Sequence, residues 1–262
     1  MPRVRLDQLL VDRGLAPSRA AAQALLLAGA VDLAGAGTRT LKAGQLVAVD
    51  VALSVRPGPL WASRAAGKLE AALDAFGIDP AGLACLDAGA STGGFTDLLL
   101  ARSARIVYAV DVGRGQLLDR LARDRRVVSM ERTNLRQLRS LPEPIDLATL
   151  DLSFISLRLV LPAVRGLLAG AGRVIALVKP QFEAGRGAVP RSGVVRDPAT
   201  HRAVLLDFAE HARGAGFAPA ALVASPLPGR DGNREFLALL DGSSGPDRGW
   251  AGLVDAAVAS PV

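Results

Sequence analysis

Three residues able to hold or move a proton stand where apolar runs meet loops. Asp151 follows the run 146–150, Lys179 follows Val174–Val178, and Glu235 opens the run to Leu240. Lys179 is one of three lysines, with Lys42 and Lys68, among 31 basic residues; the others are arginine. A desolvated ammonium can lose its proton near neutral pH, whereas a guanidinium cannot. A lysine kept in so arginine-rich a chain is therefore a candidate general base, and the acids are candidates to orient it. A purely structural ion-pair cluster would use the same residue types.

The elements that must position these residues read from the alternation of apolar runs and turns. Strands are expected at 84–88, 106–110, 127–130, 146–150 and 174–178, with helices between them, the clearest at 157–168. A loop at 185–198, a helix at 199–213 and two further strands at 220–224 and 235–240 complete the pattern. This is the βα order of a doubly wound parallel sheet. The short connection before the last strand makes the final pair antiparallel. Ligands of such sheets bind beyond the carboxyl ends of the parallel strands, and Asp151 and Lys179 lie there. Glu235 starts an antiparallel strand on the same edge.

The first strand runs into Asp87-Ala88-Gly89-Ala90-Ser91-Thr92-Gly93-Gly94-Phe95, a glycine turn opening a helix from Thr96. Glycines allow a sharp turn and a close ligand approach, and the free N–H groups of a helix start suit an acceptor-rich ligand. Asp111, at the end of the second strand, can accept from a ribose diol. Glu131, after the third, is a further adenosine-side candidate. The ligand is expected to be a nucleoside cofactor, S-adenosylmethionine first and a nicotinamide dinucleotide second. The same turn could also serve packing alone. An antiparallel closing strand favours S-adenosylmethionine.

The 262 residues carry a net charge of +6 and are half hydrophobic, enough for a sizeable core. The charge favours a polyanionic partner. Cys85 is the only cysteine, so no internal disulfide can form and a reducing, cytoplasmic setting is expected. Two histidines without cysteine partners give no expectation of a metal. No apolar run reaches spanning length, so no membrane partner is expected.

Ahead of the sheet, 3–13 reads as an amphipathic helix and Ser18 caps a second helix over 19–28. Short strands follow up to Val55. Arg3, Arg5, Arg13 and Arg19 give this unit a basic face. The expected organisation is a small basic domain at 1–55, a Pro-Gly linker at 56–62, the α/β domain at 63–243 and a loosely held tail at 244–262.

Two resemblances sharpen this. Arg5-Leu6-Asp7, Arg13-Gly14-Leu15, Ser18-Arg19 and Gly29-Ala30-Val31 resemble the α-L RNA-binding domain, named after a small-subunit ribosomal protein, which implies that the four arginines face RNA. Asp87 to Thr96, Asp111-Val-Gly-Arg-Gly-Gln-Leu117, Asp151-Leu-Ser-Phe-Ile-Ser-Leu157, Lys179-Pro-Gln-Phe-Glu183 and Gly232-Asn-Arg-Glu-Phe236 resemble the TlyA/hemolysin A ribosomal RNA 2′-O-methyltransferases. That resemblance implies a Rossmann-like class I S-adenosylmethionine-dependent domain of FtsJ-like type. It also implies methyl transfer to a ribose 2′-hydroxyl, of cytidine by the family's habit, and ribosomal RNA or ribosomal subunits as partners. The family's Lys-Asp-Lys-Glu tetrad falls on Lys68, Asp151, Lys179 and Glu235. The cofactor would then lie on Asp87, Gly89, Ser91, Thr92, Gly93, Gly94 and Phe95, with Asp111 and Glu131 beside it. An RNA-binding assembly factor with an inactive methyltransferase fold is the alternative, and a membrane-lytic protein a further one.

Overall fold

The computed structural model describes residues 2–35, 41–56, 61–243, 245 and 249–260. The first unit is β1 (Arg3–Arg5), α1 (Leu6–Asp12), α2 (Arg19–Leu27), β2 (Val31–Leu33), β3 (Leu46–Ala48) and β4 (Leu53–Val55). β1 pairs antiparallel with β3, and β2 with β4. The helix expected at 3–13 thus begins as a strand, because Val4 alternates with two arginines and finds Val47 as its cross-strand partner. Leu6, Leu9 and Leu10 of α1 bury against Ala22, Leu25 and Leu26 of α2 to make this unit's own core. Ser18 caps α2 by accepting from Ala21 N. Residues 57–60 of the expected linker lie outside the described residues.

The larger unit contains α3 (Ala66–Phe76), β5 (Ala84–Ala88), α4 (Gly94–Ala101), β6 (Ile106–Val110), α5 (Asp119–Ala122), β7 (Val127–Met130) and β8 (Ile145–Leu150). It continues with α6 (Leu161–Leu167), β9 (Leu168–Val178), α7 (Pro180–Glu183), α8 (Gly185–Ala188), α9 (Pro198–Gly214), β10 (Ala218–Ala224), β11 (Phe236–Asp241) and α10 (Trp250–Ala259). The seven-stranded sheet runs β10-β11-β9-β8-β5-β6-β7. β9, β8, β5, β6 and β7 are mutually parallel, and β11 is antiparallel to both β9 and β10. β5 and β8 are buried on both faces, as a sheet covered by helices on each side requires. The chain leaves β5 toward β6 and later returns to its other side with β8. That reversal opens a crevice above the carboxyl ends of β5 and β8.

Three expectations need correction. The helix expected at 157–168 is a 3-10 turn, Leu157–Leu159, followed by α6, whose first turn holds Pro162. Proline fits a first turn and starts the helix anew. β9 begins six residues before the expected strand, since an irregularity against β8 absorbs the glycines at 170 and 172. The tail expected to be loose contains α10. Trp250, Val254 and Ala257 fall on one face at helical spacing and enter the main core, and Trp250 Nε1 donates to Leu205 O at 3.0 Å. Burying a tryptophan and a valine stabilises by about 1.5–3 kcal/mol each, enough to hold a ten-residue helix.

In the first unit one buried carboxylate gathers several donors. Asp7 is 0% exposed. It accepts from Arg5 Nε and NH2 at 3.0 and 2.9 Å, from Arg19 NH2 at 3.1 Å and from Gln23 Nε2 at 3.1 Å. The Arg5 hydrogen bonds above all hold its pKa far below the usual carboxylate range. A depressed folded value means the stabilisation is complete above the unfolded value of about 3.9 and disappears as pH falls through the folded one. Protection factors of α1 and α2 amides are therefore expected to fall below about pH 4. In Asp7→Asn they should already be reduced at pH 7, by an amount equivalent to about 1–3 kcal/mol, with no acid step. Unchanged protection in that variant, measured by hydrogen exchange, would refute the assignment.

Candidate active site

The crevice above β5 and β8 is a cavity of about 410 Å³ whose walls include Lys68, Asp151, Lys179 and Glu235. They arrive from four elements: the first turn of α3, the end of β8, the end of β9 and the start of β11. They form two pairs. Lys68 Nζ lies 2.5 Å from Glu235 Oε2, and Lys179 Nζ lies 2.5 Å from Asp151 Oδ1. Lys179 also donates to Ser153 Oγ at 3.1 Å. Two lysines and two acids cancel in charge, which buried ions require. Each pair joins residues remote in sequence, 167 positions apart for Lys68 and Glu235.

Glycine makes the close packing possible. A Cβ at Gly89 would sit 2.5 Å from Asp151 O, and one at Gly94 would overlap Ser63 Oγ. The first glycine lets the β5 turn touch the residue after β8. The second lets the segment leading to Lys68 touch the start of α4. Gly89 also has φ +88, which a side chain would strain.

The expected cofactor residues divide by role. Gly89, Ser91, Thr92, Gly94 and Phe95 line the cavity, with Phe95 otherwise buried in the core beneath it. Gly93 takes φ +98 at the N-cap of α4. Asp87 Oδ2 accepts from Thr96 N at 2.9 Å and from Thr96 Oγ1 at 2.6 Å. Its Oδ1 is buried and has no partner among the described residues. Burial first, then the nearby Asp151 and Asp111 charges, push its pKa up to about 7, against the Thr96 hydrogen bonds. Asp111 and Glu131 stand behind the turn. Asp111 accepts from Ser91 N at 2.8 Å and Gly113 N at 2.7 Å, and Glu131 from Gly115 N at 2.6 Å. The turn, the neighbouring loop and these acids form one hydrogen-bonded frame. A buried acceptor facing a cavity, beside backbone that tolerates no side chain, fits the amino-acid end of S-adenosylmethionine, which carries an ammonium.

Phe154 does not stand out in the sequence. It is 85% exposed, takes φ +62 and packs on Phe182 with ring centroids 5.1 Å apart. Both rings border the cavity. A bulky residue in the left-handed region is strained, and such strain collects at functional sites. It lies within the motif Asp151–Leu157, but phenylalanine by default reads as core.

Three arginines of the small unit's basic face also have partners within the unit. Arg5 and Arg19 bind Asp7, and Arg13 donates to Val51 O at 2.7 Å and Val49 O at 2.5 Å. Buried Asp7 and the turn carbonyls need donors, so these arginines hold the small unit together. Of the four, Arg3 alone has no such partner among the described residues.

Among the described residues no helix is long and apolar enough to cross a membrane. The FtsJ-like methyltransferase family model matches residues 61–241. The 16S/23S rRNA (cytidine-2′-O)-methyltransferase TlyA of Mycobacterium tuberculosis is 48% identical over 240 residues, covering 89% of this chain and 88% of that protein. Hemolysin A of Brachyspira hyodysenteriae is 38% identical over 241 residues, covering 90% and 98%. The solved structure of a candidate hemolysin from Streptococcus thermophilus superposes with TM-score 0.75 at 39% identity, covering 98% of this chain and 96% of that one. A sheet with one antiparallel closing pair, a glycine turn framed by acids and a matching family model over the same residues agree: the chain belongs to the FtsJ-like methyltransferases, together with the TlyA and hemolysin A proteins.

Proposed function

We propose that the chain transfers a methyl group from S-adenosylmethionine to the 2′-hydroxyl of a cytidine ribose in ribosomal RNA. The observation that carries this is the paired Lys68–Glu235 and Lys179–Asp151 arrangement in one cavity with the glycine turn. The TlyA relative's activity supports the substrate class. When bound, the cofactor supplies an electrophilic methyl on a sulfonium sulfur. A ribose hydroxyl is a poor nucleophile until its proton is drawn away. Lys179, in its neutral form, takes that proton at Nζ, and Asp151 then holds the resulting ammonium. Ser153 fixes the direction of Nζ. Lys68 and Glu235 close the far wall and keep its charge balanced. Asp87 would face the cofactor's cationic end, and the Asp111 frame would hold its ribose. Phe154, with Phe182 behind it, offers a face on which a base splayed from RNA can stack. Incubation with small and large ribosomal subunits and methyl-labelled cofactor, followed by mapping of 2′-O-methyl sites, tests the whole reading. Label on a base, or no label on either subunit, would overturn it.

RNA contact falls on the sheet's carboxyl edge as well as on the small unit. Arg114 follows β6, Arg132 follows β7, Arg158 follows β8, and Arg191 and Arg196 follow β9. All five are exposed, and none makes a side-chain hydrogen bond or ion pair among the described residues. At the opposite edge Arg102 pairs with Glu70 and Asp74, Arg105 with Glu143, and Arg126 with Asp124. These exposed guanidinium groups on the carboxyl-edge loops would meet phosphates on either side of a target ribose. Arg3 and the small unit extend that footprint.

Three outcomes are expected of this site. Because Asp87 has a raised folded value of about 7, it is neutral below that pH and anionic above it. Affinity for the cationic cofactor should therefore rise several-fold between roughly pH 6 and 8, and Asp87→Asn should flatten the profile; calorimetry across that range decides. Lys179→Arg should keep cofactor and RNA binding while losing roughly 10²–10⁴ in single-turnover rate; an active arginine variant would leave Lys179 a positioning group. Replacing Arg114, Arg132, Arg158, Arg191 and Arg196 by glutamine should weaken RNA binding. It should also reduce the slope of log affinity against log salt by about 0.7–0.9 for each phosphate no longer neutralised, and an unchanged slope would place the phosphate-binding cations elsewhere.

A further inference from the structure

Glu235 is the one residue of Gly232-Asn233-Arg234-Glu235-Phe236 that reaches the tetrad, yet its neighbours are as firmly engaged as it is. Asn233 Oδ1 accepts from Val195 N at 3.0 Å, and its Nδ2 donates to Gly193 O at 3.0 Å, tying the loop after α8 to the start of β11. Arg234 binds the other flank. Its NH1 donates to Val258 O at 2.8 Å, and its NH2 to Ala257 O at 2.7 Å and Ser260 O at 2.5 Å. Those carbonyls belong to the last turn of α10 and the residue after it. Such groups have no partner within the helix and carry the negative end of its dipole, so one guanidinium satisfies three of them at once. Its charged plane also lies over the Phe236 ring, 5.3 Å from the centroid.

On the cavity side the constraint is space. A Cβ at Gly229 would overlap Glu235 Oε1 and lie 2.6 Å from its Cδ. Gly229 is not among the glycines with positive φ, so its backbone conformation is open to any residue. What the position requires is the absence of a side chain. Gly229 N donates to Asn233 O at 2.8 Å, which fixes the turn against the acid.

We propose that Gly229 and Arg234 are positioning residues that clamp Glu235 against Lys68. Gly229 leaves the carboxylate the only orientation that meets Nζ, and Arg234 fastens the start of β11 to the C-terminal end of α10. The last helix is then part of the apparatus that sets the geometry of the tetrad, although it lines no part of the cavity. This rests on the methyltransferase reading above.

The test uses the full chain, ribosomal subunits and labelled cofactor, with Gly229→Ala, Arg234→Met, Arg234→Lys, Glu235→Asp and the double variant Gly229→Ala/Glu235→Asp. Gly229→Ala should lower kcat about ten-fold or more, with KM for RNA and the cofactor dissociation constant within about two-fold. Shortening the acid removes the overlap, so the double variant should be no slower than Glu235→Asp alone, a non-additive cycle. If Gly229→Ala melts below the assay temperature, recovery of folding by Glu235→Asp supports the clamp equally. Arg234→Met should lower kcat and speed hydrogen exchange in 250–260, and Arg234→Lys should recover part of both. Multiplicative losses in the double variant, or a wild-type kcat in Arg234→Met while α10 exchanges freely, would overturn the clamp. A wild-type enzyme that places no methyl on ribose would overturn the underlying reading instead.

Discussion

Two lysine–carboxylate pairs inside one cavity govern much of the rest. Each ion is costly to remove from water, and a partner at hydrogen-bond distance offsets the cost only when the geometry is good. With both pairs at 2.5 Å, β8 and β9 must end, and α3 and β11 must begin, within narrow limits. Removing one partner would leave a buried, uncompensated charge. The sheet therefore does more than support the cavity. Its strand order decides that four chain segments separated by scores of residues arrive at one edge.

The same edge reconciles two demands that pull in opposite directions. Proton transfer wants groups withdrawn from solvent, while RNA binding wants exposed cations. The fold separates them by depth. The paired charges lie inside the crevice, the aromatic pair Phe154 and Phe182 borders it, and exposed arginines stand on loops at the same sheet edge. In the small unit the division is less complete, since Arg5 and Arg19 serve a buried carboxylate while about half of each side chain remains exposed. A guanidinium with five donors can bind Asp7 and still present a face to phosphate.

Much of this is legible in the residues. Strand ends alone place Asp151, Lys179 and Glu235, because parallel strands put their carboxyl ends on one edge. Lys68 is not placed that way, since helix phase says nothing about a partner 167 residues away; resemblance supplies it. The internal engagement of Arg5, Arg13 and Arg19 is invisible because sequence does not show which acid is buried. Arg3 to Arg5 read as helix because apolar spacing over so few residues suits either period. The last helix is hidden by the Gly-, Ser- and Asp-rich stretch before it, although Trp250, Val254 and Ala257 carry the helical spacing. Phe154 escapes notice for the opposite reason, an aromatic held outward where burial is the rule.

The glycine contacts have an evolutionary corollary. Gly89 abuts Asp151, Gly94 abuts the segment leading to Lys68, and Gly229 abuts Glu235. A glycine codon becomes an alanine codon by one base change, and a coding bias toward G and C does nothing to oppose that step, since both codon families are rich in them. The exchange is sterically open at other glycines, such as Gly166, Gly187 and Gly214, where a Cβ would meet nothing within 4 Å and φ is not positive. At Gly89, Gly94 and Gly229 it would press a methyl group on the tetrad's immediate surroundings. Lineages of this protein should admit alanine at such open glycines while these three sites resist it, a pattern of substitution set by missing carbon atoms rather than by any reactive group.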